Sequence, residues 1–72
     1  MLISMRLKKI ALTAGGRAFV VDSFAARLRC FFARAKTIEA WFICDQDDGG
    51  QIYSIEGEGF LCVDAAGRAR WI

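Results

Sequence analysis

Glycine-containing turn signals divide the second half of the chain into short segments, and their spacing constrains the fold more than any other feature. The clearest signal is Asp-Asp-Gly-Gly at residues 47–50, and two more follow it. The strand-like segments between and around these turns are residues 37–44, 51–55, 60–63 and 68–72. Connections this short join antiparallel neighbours. The second half therefore predicts an antiparallel β-meander.

The first half begins with a segment that fits a strand or a helix. Residues 3–12 and 17–21 carry β-branched and apolar side chains on either side of Gly15 and Gly16, which favours a hairpin. The apolar spacing of residues 2–12 also fits a helical period, so both alternatives stay open for this segment. We prefer the hairpin.

Residues 23–36 predict an amphipathic helix, with Ser23 or the aspartate before it as the N-cap. The apolar stripe that should pack on the sheet consists of Phe24, Leu28, Phe31, Phe32 and Ala35. The basic edges of this stripe consist of Arg27, Arg29, Arg34 and Lys36. The remaining face holds Ala26, Cys30 and Ala33, and it is either a close contact with a partner or second copy, or an Ala-rich face in solvent.

Together these segments predict one α+β domain over residues 1–72. Its architecture is one amphipathic helix packed on a four- to five-stranded antiparallel sheet, ending in a C-terminal β-meander. The composition is 56% hydrophobic, which is rich for 72 residues. A chain of this size buries only about 60% of its unfolded surface. The surplus of apolar surface predicts a protein partner or a homodimer.

Residue usage argues against most catalytic chemistry. Histidine is absent, and the three cysteines Cys30, Cys44 and Cys62 lack the spacing of a zinc or redox motif. We therefore expect a non-enzymatic protein with no catalytic residues, no metal and no cofactor. Reduced thiols favour the cytoplasm, and we expect no membrane contact because the apolar runs are short and no secretory signal is evident.

The charge of the chain is split between its halves. Residues 1–36 carry eight basic side chains and one acidic one, whereas residues 37–67 carry seven acidic and no basic ones. Opposed charges favour docking over catalysis and define two predicted partner-binding groups. The acidic group, predicted to form one face, consists of Asp45, Asp47, Asp48, Glu56, Glu58 and Asp64. The helical group consists of the four basic edge residues Arg27, Arg29, Arg34 and Lys36.

Two motifs leave other functions open. Residues 10–24 loosely match a helix-turn-helix with basic surroundings, which would make the chain a small DNA-binding regulator. Residues 45–56 place Asp45, Asp47 and Glu56 at EF-hand positions, which would make it a calcium-binding domain, although Gly49 stands where a ligand oxygen belongs. The aromatic residues of the meander fit a sheet core better than a base-stacking surface. They are Trp41, Phe42, Tyr53, Phe60 and Trp71.

The size, the predicted architecture and the last hairpin resemble the anti-CRISPR proteins, which are small phage-encoded inhibitors. Some of these end in a hairpin like residues 61–71 of this chain, Leu-Cys-Val-Asp-Ala-Ala-Gly-Arg-Ala-Arg-Trp. The resemblance implies an inhibitor that binds a bacterial protein or ribonucleoprotein complex rather than nucleic acid directly. Either the acidic face would mimic DNA phosphates, or the basic helix edges and aromatic sheet would cover a protein surface.

Overall fold

The computed structural model describes residues 6–72, which form six strands and one helix. The elements are β1 (Arg6–Leu12), β2 (Ala18–Val20), α1 (Phe24–Ala33), β3 (Lys36–Asp45), β4 (Gln51–Ile55), β5 (Gly59–Val63) and β6 (Ala69–Trp71). The α+β class and the meander are confirmed, but the sheet has six strands rather than four or five. The preferred hairpin also forms, and the part of the first segment that precedes Arg6 lies outside the described residues.

All neighbouring strands pair antiparallel, in the order β2-β1-β3-β4-β5-β6. Helix α1 connects β2 to β3, and because β1 lies between those two strands, the connection crosses over β1. The long strand β3 pairs with β1 along Lys36–Phe42 and with β4 from Trp41 onward. A bulge at Ile43 separates the last two pairs with β4 from the first two.

The sheet curls until its two edge strands meet at their first residues. The Ala18 amide donates to the Gly67 carbonyl at 2.9 Å, and the Ala69 amide donates to the Gly16 carbonyl at 2.7 Å. The Arg17 guanidinium adds a hydrogen bond of 3.1 Å to the Ala66 carbonyl. The result is a half-barrel whose edges are joined at one point.

The concave side of the half-barrel holds the main core. Ile10, Tyr53 and Leu61 are its largest fully buried side chains. Alternate residues of each strand point into this core, as the pleat requires. The cluster also contains Ala18, Ala40, Ile55 and Val63, with Leu12, Val20, Ile38, Phe42 and Ala69 at its margin.

Aspartate side chains shape the turns that the glycine signals predicted. The Asp48 carboxylate accepts the Gly50 amide at 3.0 Å, and the Asp64 carboxylate accepts the Arg68 amide at 2.9 Å. Gly50 is required by close approach, because a Cβ there would lie 2.6 Å from the Val63 carbonyl oxygen. These two turns therefore pack against each other at one end of the meander.

Helix α1 is shorter than predicted. The Ser23 hydroxyl caps it by accepting the Ala26 amide at 3.1 Å. The helix ends at Ala33, because Arg34 adopts a left-handed conformation with φ 52°. Lys36, predicted to lie on the helix, is the first residue of β3.

The helix also presents the opposite face to the one we predicted. Ala26 is buried and Cys30 is half-buried, whereas Phe24, Phe31 and Phe32 are exposed. The physical reason is that the strands themselves fill the concave side, so the helix must pack on the convex side. Ala11, on the convex face of β1 with Phe19 and Thr37 as its cross-strand neighbours, is also fully buried.

Candidate docking surface

The outer face of α1 carries a row of exposed apolar side chains, which we call the aromatic ridge. It consists of Phe24, Leu28, Phe31 and Phe32, which are 73%, 42%, 73% and 78% exposed. The spacing of these residues is i, i+4, i+7 and i+8, so they share one side of the helix. The Phe31 and Phe32 rings meet edge to face, with their centroids 5.6 Å apart. The ridge is therefore an ordered apolar surface that faces solvent.

Arginine side chains border the aromatic ridge on both sides. Arg29 lies on one side, with its guanidinium carbon 4.4 Å from the centre of the Phe19 ring on the convex face of β2. This cation–π contact ties the helix to the sheet. Arg27 lies on the other side of the ridge, where the helix faces β1 and β3. The ridge is thus an apolar strip with a positive border.

A groove of about 520 Å³ separates α1 from the convex face of the sheet. We call it the basic groove, because Lys9 from β1, Arg27 from α1 and Arg34 at the helix C-cap all line it. Its apolar lining includes Phe31, which also belongs to the aromatic ridge. The groove and the ridge therefore form one continuous surface.

The predicted helical binding group is only partly brought together. Arg27 and Arg34 converge on the basic groove, Arg29 lies across the helix, and Lys36 stands at the start of β3. The sequence reasoning missed Lys9, because its contribution depends on the crossover that places α1 over β1. No local pattern in the sequence marks that contribution.

The predicted acidic face does not form as one surface. Asp45, Asp47, Asp48 and Asp64 lie at the end of the meander where the turns after β3 and β5 pack together. Glu56 and Glu58 occupy the turn at the opposite end of β4. The five residues of β4 span about 17 Å at about 3.3 Å per residue. The acidic side chains therefore form two groups at opposite ends of β4.

Neither alternative motif has the local structure it needs. The helix-turn-helix segment contains β1 and β2, so its two helices are not formed. The EF-hand segment is a β-hairpin in which β4 holds Glu56 away from Asp45 and Asp47. Within residues 6–72, no group of three or more acidic or cysteine side chains is placed to hold a metal ion.

The aromatic residues of the meander divide between core and surface. Tyr53 is buried and Phe42 is half-buried, so the core assignment is confirmed for these two. For Trp41, Phe60 and Trp71 it is wrong, because these side chains are exposed. The strand register places Trp41 and Phe60 in one row on the convex face, a second apolar area beyond Lys9.

Comparisons of this chain with protein-family models, with curated proteins and with solved structures found no match. The arguments for function therefore come from the surface of the domain itself. Helix α1 has ten residues, and no helix in the described part of the chain has the length and apolar character to cross a membrane.

Proposed function

We propose that this protein is a non-enzymatic protein-binding domain that docks the aromatic ridge on a larger partner. The exposure of Phe24, Phe31 and Phe32 is the observation that carries the proposal. Complete burial of one such side chain contributes about 1.5–3 kcal/mol. The helix buries Ala26 and leaves three phenylalanines in water. Its largest apolar area is therefore still available for a partner.

The chemistry of the ridge matches that of protein interfaces. Aromatic residues and arginine are enriched where binding energy concentrates, and the ridge combines both. Helices that bind in grooves use anchors spaced like Phe24, Leu28 and Phe31. The Ser23 cap fixes the start of the helix, and the Arg29–Phe19 contact joins the helix to β2, so part of the ordering of the anchors precedes binding and lowers the entropy cost of docking.

Inhibition of a bacterial effector complex in the cytoplasm is the form of this function that we favour. The domain would act by covering a surface of that complex with the aromatic ridge and its arginine border. Phosphate mimicry by the acidic side chains has weaker support, because Glu56 and Glu58 lie apart from the four aspartates. The resemblance to anti-CRISPR proteins remains at the level of size and architecture.

The test is a tagged pull-down from nuclease-treated bacterial lysate with three proteins. These are the unaltered chain, a ridge variant with Phe31→Ser and Phe32→Ser, and an acidic control with Asp47→Lys and Asp48→Lys. We expect a discrete protein band with the first and third proteins, and its loss with the ridge variant. Both altered positions of the ridge are largely exposed, so its circular dichroism and melting temperature should stay close to those of the unaltered chain.

Two outcomes would contradict the proposal. A band that persists with the ridge variant would remove α1 from the interface. A band lost with Asp47→Lys and Asp48→Lys but kept with the ridge variant would assign binding to the acidic turn and revive phosphate mimicry.

A further inference from the structure

We infer that the partner supplies an acidic amphipathic segment, whose apolar side chains lie on the aromatic ridge and whose carboxylates enter the basic groove. This inference rests on the proposed function and adds the chemistry of the partner. It follows from the way the ridge and the groove join, from the charge of the groove and from its concave shape.

The two parts of the surface share residues. Phe31 belongs to the ridge and also lines the groove. Arg27 borders the ridge and lines the groove as well. A segment that lays an apolar side chain against Phe31 therefore brings its next residues to the groove. Alternation of apolar and acidic residues in that segment satisfies both parts at once.

The groove concentrates positive charge from three separate positions. Lys9, Arg27 and Arg34 line it, and none of the described residues that line it is acidic. Glu39 is the cross-strand neighbour of Lys9 and offsets part of this charge, which leaves an excess of cations. Arginine binds carboxylates through paired hydrogen bonds, and three cations that line one groove attract a carboxylate together. A carboxylate is therefore the side chain that this groove fits.

A second copy of the chain fits this surface poorly. A twofold contact places the same patch on both subunits, so Arg27 and Arg34 of one copy would approach their equivalents in the other. The acidic turns of a second copy would complement the charge of the groove. However, turn 64–67 supplies only Ala65 and Ala66 as apolar side chains to cover the aromatic ridge. Such a contact would also join two different patches, which builds a ring or a filament instead of a twofold dimer.

A flat anionic bilayer also complements the charge but not the shape. The groove lies between α1 and the sheet, so its cations stand to the side of the ridge, and Lys9 reaches the groove from the sheet rather than from the helix. A flat surface resting on Phe24 and Phe32 would leave the groove open, whereas a peptide carboxylate can enter it. The shape therefore favours a peptide segment over a lipid surface.

The test uses a phage-displayed random dodecapeptide library, selected on three purified proteins and read by deep sequencing. The proteins are the unaltered chain, a groove variant (Lys9→Gln, Arg27→Gln, Arg34→Gln) and a charge-matched control (Arg6→Gln, Arg68→Gln, Arg70→Gln). Circular dichroism establishes that all three are folded. We expect the unaltered chain and the control to enrich Asp and Glu several-fold over the starting library, in peptides that also carry Phe, Leu or Trp. The groove variant should lose the acidic enrichment.

Acidic enrichment that persists in the groove variant, or enriched peptides without acidic residues, would overturn the inference. Two further arms test the other occupants. Cosedimentation with phosphatidylserine vesicles but not phosphatidylcholine vesicles, abolished by Phe31→Ser and Phe32→Ser, would assign the surface to membranes. Analytical ultracentrifugation that shows a dimer abolished by the same changes would assign it to a second copy. Either result would overturn the acidic-segment assignment.

The two proposals can fail separately. A ridge-dependent protein band combined with no acidic enrichment in the library leaves the proposed function standing and rejects the acidic segment. Acidic enrichment that depends on the groove, combined with a protein band that survives the ridge changes, rejects the proposed use of the ridge instead.

Discussion

At the scale of single residues, Tyr53 is the core side chain that carries a hydroxyl. It is the only tyrosine of the chain, it is fully buried, and its hydroxyl donates to the Gln51 side-chain oxygen at 3.1 Å. Its ring meets Phe42 of β3 edge to face, with their centroids 5.8 Å apart. The polar tip of the ring has a partner while its apolar body fills the half-barrel. The result is one titratable group inside the core.

We expect this group to make the domain sensitive to alkaline pH. Burial raises the pKa of Tyr53 above its ordinary value of 10.0, and the nearby Asp45 carboxylate raises it further. Above about pH 10 the unfolded chain loses the phenol proton before the folded chain does, so the free energy of unfolding falls as pH rises through that window. Urea unfolding at a series of pH values, followed by tryptophan fluorescence, measures this slope.

The matched control for Tyr53 is Tyr53→Phe. This change removes one hydrogen bond and costs about 1 kcal/mol at neutral pH. Its stability should then decline less steeply than that of the unaltered chain above pH 10, because the buried phenol is gone. Parallel declines in the two proteins would contradict the burial of a titrating phenol. Tyrosinate absorbance, followed as the pH is raised, provides an independent readout of the same pKa because the chain has one tyrosine.

At the scale of elements, local chemistry made the strands predictable and left the orientation of α1 undetermined. The strand Gln51–Ile55 has the predicted bounds because its flanking turns depend on nearby residues such as Asp48 and Gly50. The apolar stripe of the helix was also recognised, but its direction depends on what the sheet offers. Strand side chains such as Ile10 and Tyr53 already fill the concave side, so the helix lies on the convex side and turns Ala26 inward. The same crossover of the helix over β1 explains why Lys9 was missed.

At the end of α1, we expect a substitution to glycine to stabilise the fold, whereas most substitutions destabilise a protein. Arg34 has φ 52° and ψ 40°, and its amide bonds to the last turn of the helix. A left-handed conformation costs a non-glycine residue about 1 kcal/mol, and glycine adopts it freely. Arg34→Gly should therefore stabilise the fold by about 0.5–1 kcal/mol. Urea unfolding checks the change.

Arg34→Ala separates the backbone effect from the loss of the side chain. Alanine keeps the left-handed strain, so this variant should lack the gain seen with glycine. Equal stability of the two variants, or a loss with glycine, would contradict the strained cap. Arg34→Gly should also weaken binding of acidic peptides even as it stabilises the domain, because the groove loses a cation.

At the scale of the whole molecule, the split in charge along the sequence becomes a split in space. The basic groove lies where α1 crosses β1, and four aspartates lie at the turn end of the meander. Along β3 itself, Lys36 and Asp45 stand at opposite ends of a ten-residue strand. The sequence predicted opposed charges. It did not predict that Glu56 and Glu58 would separate from the aspartates, since that depends on strand order.

The joining of the sheet edges is the feature of the whole molecule that the sequence least anticipates, and it can be tested by hydrogen exchange. Open edge strands invite pairing with other chains, so joining β2 to β6 removes part of that hazard. The Ala18 and Ala69 amides make the two backbone bonds of the joint. They should exchange at least about a hundredfold more slowly than the exposed turn amides of Ala14 and Gly15, which corresponds to about 2.8 kcal/mol of opening free energy.

Arg17→Ala sharpens this experiment, because the Arg17 side chain bonds across the joint to the Ala66 carbonyl. The change should speed exchange at Ala18 and Ala69 together, since both amides belong to one contact. Exchange of the buried Tyr53 on β4 should stay unchanged, because the central strands pair independently of the joint.

Rapid exchange at Ala18 and Ala69 in the unaltered protein, at the rate of Ala14, would mean that the edges are open in solution. Acceleration of all three amides in the variant would mean that the joint supports the entire fold, as a closed barrel would require.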